Sequence, residues 1–139
     1  MVQRDYILRE IEKMGAVMTA IRHKLFGGKE NLSLTLEMQV EYTKETLLRE
    51  ANFDLGKLMD LDIEKSKEYL TDFAGFNIRN IESLAQCLSQ IGKQDKSDSA
   101  KKHLEKALQL YEICNLISKT WSLEREENTQ AIKNVLSNI

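Results

Sequence analysis

The hydrophobic positions change period along the chain, and the changes mark out the elements. Ile7, Ile11, Met14, Met18, Ile21 and Leu25 recur at steps of 4, 3, 4, 3 and 4, which places them on one helix face. Asp5 precedes Arg9 by four residues, the favourable order for an ion pair along a helix. Gly27-Gly28 offers the left-handed backbone that closes a helix. The spacing therefore predicts a helix from Gln3 to Phe26.

The next stretch carries two periods at once. Leu32, Leu34, Leu36, Met38, Val40 and Tyr42 alternate with polar residues, as in a strand. Leu36, Val40, Thr43 and Leu47 also share a helical face, and the stretch is rich in Glu, Met, Gln and Lys, all good helix formers. No second alternating run exists to pair with a strand. A helix over Leu34 to Glu50 is the expectation.

Capping residues set off the remaining elements. Asp54 is expected to cap a short turn with Leu55, Leu58 and Met59. Asp62 caps a helix carrying Ile63, Tyr69, Leu70 and Phe73, stopped by Gly75. Asn77 opens a helix whose face is Ile78, Ile81, Leu84, Ala85, Leu88 and Ile91, stopped by Gly92. Lys93 to Ser99 is wholly polar and reads as an exposed loop. Asp98 or Ser99 then caps a helix with Ala100, Leu104, Ala107, Leu108, Tyr111 and Ile117. A last helix follows Ser122, with Glu124, Glu126 and Glu127 near its positive end and Leu123, Ala131, Ile132, Val135, Leu136 and Ile139 along it. Six or seven helices with short connections should pack antiparallel.

Composition narrows the class. The 139 residues include no proline and only six glycines, whereas sandwiches and barrels depend on turns rich in both. The length suits a single domain that needs neither a disulfide nor a metal to fold. The expectation is an all-α domain over 1–139, with 1–28 an N-terminal amphipathic helix and 78–118 a helical hairpin.

That hairpin has a recognisable order. Ile81, Leu84-Ala85, Leu88 and Gly92 resemble the first helix of a tetratricopeptide repeat, and Ala100, Leu104 and Ala107 the second. The alanines would let two antiparallel helices approach closely. The loop is about three residues longer than the repeat allows, and Glu112 stands where a terminal proline is usual. An irregular helical bundle is the alternative architecture. One visible unit needs packing surface from the flanking helices or another subunit, because such arrays take about three repeats to be stable.

Three segments carry a resemblance over the whole chain: the box Asp5-Tyr6-Ile7-Leu8-Arg9-Glu10-Ile11-Glu12, then Leu55-Gly56-Lys57-Leu58-Met59, then Lys106-Ala107-Leu108-Gln109-Leu110-Tyr111 with Trp121-Ser122-Leu123-Glu124. Together they resemble a small bacterial family known only as a domain of unknown function. The resemblance implies a tetratricopeptide-like helical fold in a bacterial cytoplasmic protein, and it implies no activity.

Charge and chemistry restrict the function classes. Twenty basic and twenty-two acidic residues give a net charge of −2, unlike a general nucleic-acid binder. No run approaches the eighteen apolar residues of a membrane-spanning helix, and no secretory signal pattern opens the chain. A cytoplasmic location is expected. Cys87 and Cys114 lie in apolar helical patterns and read as buried free thiols. Ala20 and Ala100 stand where a carboxylate-bundle metal site would place Glu before His23 and His103. Gly27-Gly28-Lys29 lacks the other residues of a phosphate loop. No catalytic, metal or cofactor constellation emerges, and neither a cofactor nor a small-molecule ligand is inferred.

The first helix holds the clearest asymmetry. Residues 1–29 carry six basic and three acidic side chains, and the rest carry fourteen and nineteen. Arg22, Lys24 and Lys29 follow Ala16 with no acid among them. Three placements are open: packing on its own domain with the basic groups reaching water, pairing with the same helix of a second chain, or lying on an anionic membrane surface. Trp121 reads as a wedge between the last two helices or as an exposed anchor. The expected function is a non-enzymatic interaction or scaffold protein, self-associating as a homodimer or meeting another protein partner; the alternatives are a peripheral membrane-surface protein, acting through the basic first helix, and a small-molecule binder with a pocket between helices. Ile11, Met14, Met18, Ile21, Leu25 and Trp121 form the candidate surface.

Overall fold

A computed structural model describes residues 2–28 and 34–139. Lys29, Leu32 and Ser33, which entered the phosphate-loop and strand readings, lie outside these residues. All regular structure among the described residues is helical: α1 (Val2–Phe26), α2 (Leu36–Ala51), α3 (Leu55–Met59), α4 (Ile63–Thr71), α5 (Ile78–Gly92), α6 (Asp98–Ser118) and α7 (Leu123–Ser137).

Side-chain caps start the helices as expected from Asp54, Asp62, Asn77 and Ser122, each accepting from the backbone N–H three residues on. Two starts differ. Thr35 caps α2, so that helix begins at Leu36. Ser97, rather than Asp98 or Ser99, caps α6 through the Ala100 N–H at 3.1 Å. Asp98 instead occupies the first turn, where its charge meets the positive helix end.

The glycines act differently from the expectation. α1 does stop at Phe26, yet no described glycine has positive φ; the left-handed residues are Asn52 (φ 54°) and Lys119 (φ 58°). α4 ends at Thr71, before Gly75. Gly75 is a crossing point: a Cβ there would stand 2.7 Å from the Glu10 carbonyl oxygen and 2.9 Å from Met14 Cβ. Gly92 closes α5, but the absence of its side chain also admits α6, since a Cβ would meet Leu104 Cγ at 2.6 Å.

α5 and α6 form the central antiparallel pair. Their close approach follows from Ala85, Ala100 and Ala107, all fully buried, with Leu84, Leu88 and Leu104 filling the space beside them. Cys114 Sγ at one end lies 3.8 Å from the Ile78 carbonyl oxygen, and Gly92 meets Ala100 and Leu104 at the other. α1 runs parallel to α5: Asn80 Nδ2 donates to the Ile11 carbonyl at 2.9 Å near the start of α5. α7 packs on α6, its Arg125 reaching Glu82 at 3.5 Å. Phe53, Tyr69, Phe73 and Phe76 cluster with centroids 4.8 to 6.3 Å apart and bind the short α3–α4 segment to the body. No described helix is long and apolar enough to cross a membrane.

Candidate interaction surface

From Met14 onward the periodic seam of α1 is consumed by its own domain. Met14, Met18, Ile21 and Leu25 are buried in the common core, and Ile11 is half-buried. Of the three placements open from the sequence, this is packing on the same chain, and it corrects the use of those four residues as a surface. The reason is geometric. A seam with a 4-3 step fits α2 and α5 of the same chain as well as it fits a second copy. Lys24 faces solvent while Arg22 is half-buried.

Trp121 has the opposite fate. It stands 72% exposed in the α6–α7 turn, so it is not a wedge. Leu116 on α6 and Leu123 on α7 flank it at 51% and 57% exposure. The helix directions put the start of α1 at this same end of the molecule, since Ile11 already lies level with Asn80 near the start of α5. Residues 3–9 are exposed on every side of α1, including Tyr6, Ile7 and Leu8. A two-turn stretch with three large apolar residues thus lies exposed at the same end of the molecule as the turn that carries Trp121.

The turn is held firmly despite its exposure. Arg125 is buried at 4% exposure and donates through Nε to Asn115 Oδ1 at 2.6 Å, and through Nη2 to Ser118 Oγ at 3.1 Å and the Thr120 carbonyl at 2.8 Å. Glu82 balances its charge. A buried arginine is tolerated only when its donors and charge are met in this way. Lys119 closes α6 in the left-handed region, which costs a residue with a Cβ roughly 1–2 kcal/mol. The turn therefore combines an exposed aromatic, a strained cap and a locking arginine.

Arg125 escaped the sequence reading, although it left a signal. It is the one cation among Glu124, Glu126 and Glu127 at a helix N-terminus, where the dipole disfavours positive charge. Lys106 left a signal of another kind, a lysine in register with His103, Ala107, Leu110 and Ile113 on the buried face of α6. Its ammonium donates to the Leu61 carbonyl and to Ser66 Oγ, both at 2.9 Å, which ties the α3–α4 turn to α6. Burial lowers its pKa to about 8, against the pull of Asp62 and Asp60.

The remaining reactive groups are embedded. His103 Nδ1 lies 2.7 Å from the Ser99 carbonyl, so it carries the proton there, and Nε2 is buried with no partner. Desolvation holds this imidazole below its ordinary pKa. Cys87 and Cys114 are free, buried thiols, each pushed up to about 12 chiefly by burial. Thiols so protonated are poor nucleophiles. Among the described residues no group of three His, Cys, Asp or Glu converges as a metal site.

Comparison with protein-family models, with curated proteins and with solved structures finds no match for the chain.

Proposed function

We propose that the protein is a non-enzymatic helical interaction module of the bacterial cytoplasm that self-associates through the end carrying Trp121. The carrying observation is Trp121 itself, a large exposed aromatic on a turn locked by buried Arg125. A rigid aromatic loses little conformational entropy on binding, and tryptophan is enriched among the residues that dominate interface energies. Leu116, Leu123, Tyr6, Ile7 and Leu8 are further exposed apolar side chains at this end of the molecule. In this reading the 78–118 hairpin is tetratricopeptide-like, with Ala85, Ala100 and Ala107 as the small residues between its helices.

Sedimentation velocity at micromolar concentration tests the proposal. The wild type should sediment as a dimer or larger, and the double variant Trp121→Ser, Leu123→Ser as a folded monomer with an unchanged helical circular dichroism spectrum. A monomeric wild type, or a double variant that still associates, would overturn it.

A further inference from the structure

Between α1, α5 and α7 lies a polar cleft that the apolar end does not use. Its larger lobe, about 480 Å3, is lined by Thr19, Arg79, Ser83 and the carboxylates of Glu82 and Glu124, among others. Its smaller lobe, about 250 Å3, is lined by Ser89, Gln90, Lys93, Tyr111 and Asn128. Arg22 and Gln86 line both lobes.

The smaller lobe has an unusual charge balance. Two cations, Arg22 and Lys93, border it, and no carboxylate does. The two ion pairs among the described residues are Arg49–Glu50 and Arg125–Glu82, so Arg22 has no acidic partner there. Its Nε is buried and makes no hydrogen bond. An arginine cannot shed its proton to escape that cost, and a buried donor without an acceptor is expensive. This is the part of α1 whose cations follow one another in sequence with no acid among them. Packing the apolar seam inward has turned Arg22 towards the cleft rather than into open water.

We propose that this cleft binds a small phosphorylated molecule, with its phosphoryl oxygens held by Arg22 and Lys93 in the acid-free lobe and its remainder in the larger lobe. The phosphoryl group fits better than a carboxylate for a countable reason. A phosphate ester offers three terminal oxygens and close to two negative charges, matching two cations and the hydroxyl and amide donors of Ser89, Tyr111, Gln86 and Asn128. A carboxylate has two oxygens and one charge, and would leave a cation and several donors unmet. The Tyr111 phenol is a donor at neutral pH, its pKa raised further by burial and by the Glu82 carboxylate. In the larger lobe, Glu82 and Glu124 beside Arg79 suit a remainder with hydroxyl or amino groups and repel a second anion. The volume lies within the usual range of small-molecule sites.

The test uses the full chain with inorganic phosphate as the probe, followed by phosphorus NMR, with succinate and sodium chloride at matched ionic strength as controls. Phosphate should broaden saturably and raise the thermal midpoint beyond the chloride control. Arg22→Gln should weaken binding about tenfold or more, as expected for the loss of a charge-assisted donor. Lys93→Gln, on an exposed cap that the fold does not need, should weaken it by a smaller factor. Arg49→Gln, a surface arginine away from the cleft, should leave it unchanged. Absence of saturable phosphate binding, a stronger response to succinate than to phosphate, or equal affinity in the Lys93→Gln and wild-type proteins would each overturn the assignment. The Lys93→Gln comparison keeps the test decisive if Arg22→Gln fails to fold.

Discussion

Along the α5–α6 hairpin the large apolar side chains are almost all inside, whereas at the end where α1 begins and α6 turns into α7 six of them face water. The hairpin is built for close approach: Gly92 and three alanines bring the helix axes together, and Leu84, Leu88 and Leu104 are fully buried. The turn beyond it is held by polar contacts to Arg125 and leaves Trp121, Leu116 and Leu123 outside. One region buries its apolar surface in the core, and the other leaves it facing water.

The largest expected effects separate the two regions by stability. Leu84→Ala should destabilise the chain by about 2–5 kcal/mol in urea unfolding, the range for truncating a fully buried leucine. Leu123→Ala should stay within about 0.5 kcal/mol of wild type, as for an exposed site. Equal costs would erase the comparison.

A second substitution asks whether the exposed turn is ordered by its buried arginine. Arg125→Ala should cost about 3 kcal/mol, because it removes a buried side chain's hydrogen bonds to Asn115, Ser118 and Thr120 together with its ion pair to Glu82. It should also lower the fluorescence anisotropy of Trp121, the only tryptophan. Unchanged anisotropy would show that Arg125 serves stability alone.

The smallest effect, within the first pH unit above 9, is a response confined to the interior. Cys87 and Cys114 ionise near 9.0 when unfolded but are held to about 12 when folded. Between those values the unfolded chain loses protons that the folded chain keeps. The stability they contribute is complete below pH 9 and falls as pH rises towards 12. Lys106 works in the opposite sense from about pH 8 to 10.5, since its folded form releases its proton first. With Tyr111 raised as well, three groups oppose one. Thermal midpoints should therefore fall above pH 9, and Cys87→Ala with Cys114→Ala should flatten the decline. A decline of the same slope in that double variant would refute the role of the thiols.

The elements were legible because their signals are local. Asp54, Asp62 and Asn77 cap the helices they precede, and the ambiguous run after Leu34 is helical because Thr35 caps it and no strand partner exists among the described residues. Gly75 and Gly92 were harder to read, since a glycine that ends a helix and one that admits a neighbouring backbone look alike in one dimension. The candidate surface divided in the same way. Met14, Met18, Ile21 and Leu25 form a face whose period says that it must be covered and is silent on what covers it. Trp121, with no periodic context, reads first as a wedge, and only the tertiary structure leaves it exposed.

Periodicity, caps and the missing prolines were sufficient for an all-helical chain and for most of its helix boundaries, because each depends on residues within a few positions of one another. Which faces met depended on contacts between distant segments: Asn80 with Ile11, Gly75 with Glu10, Lys106 with Leu61, Arg125 with Glu82. Those contacts put the α1 seam inside, left Trp121 outside and turned Arg22 towards a cleft whose smaller lobe no carboxylate lines. Burial is a property of the assembled chain, and with it come the desolvation and charge balance on which both proposed sites rest.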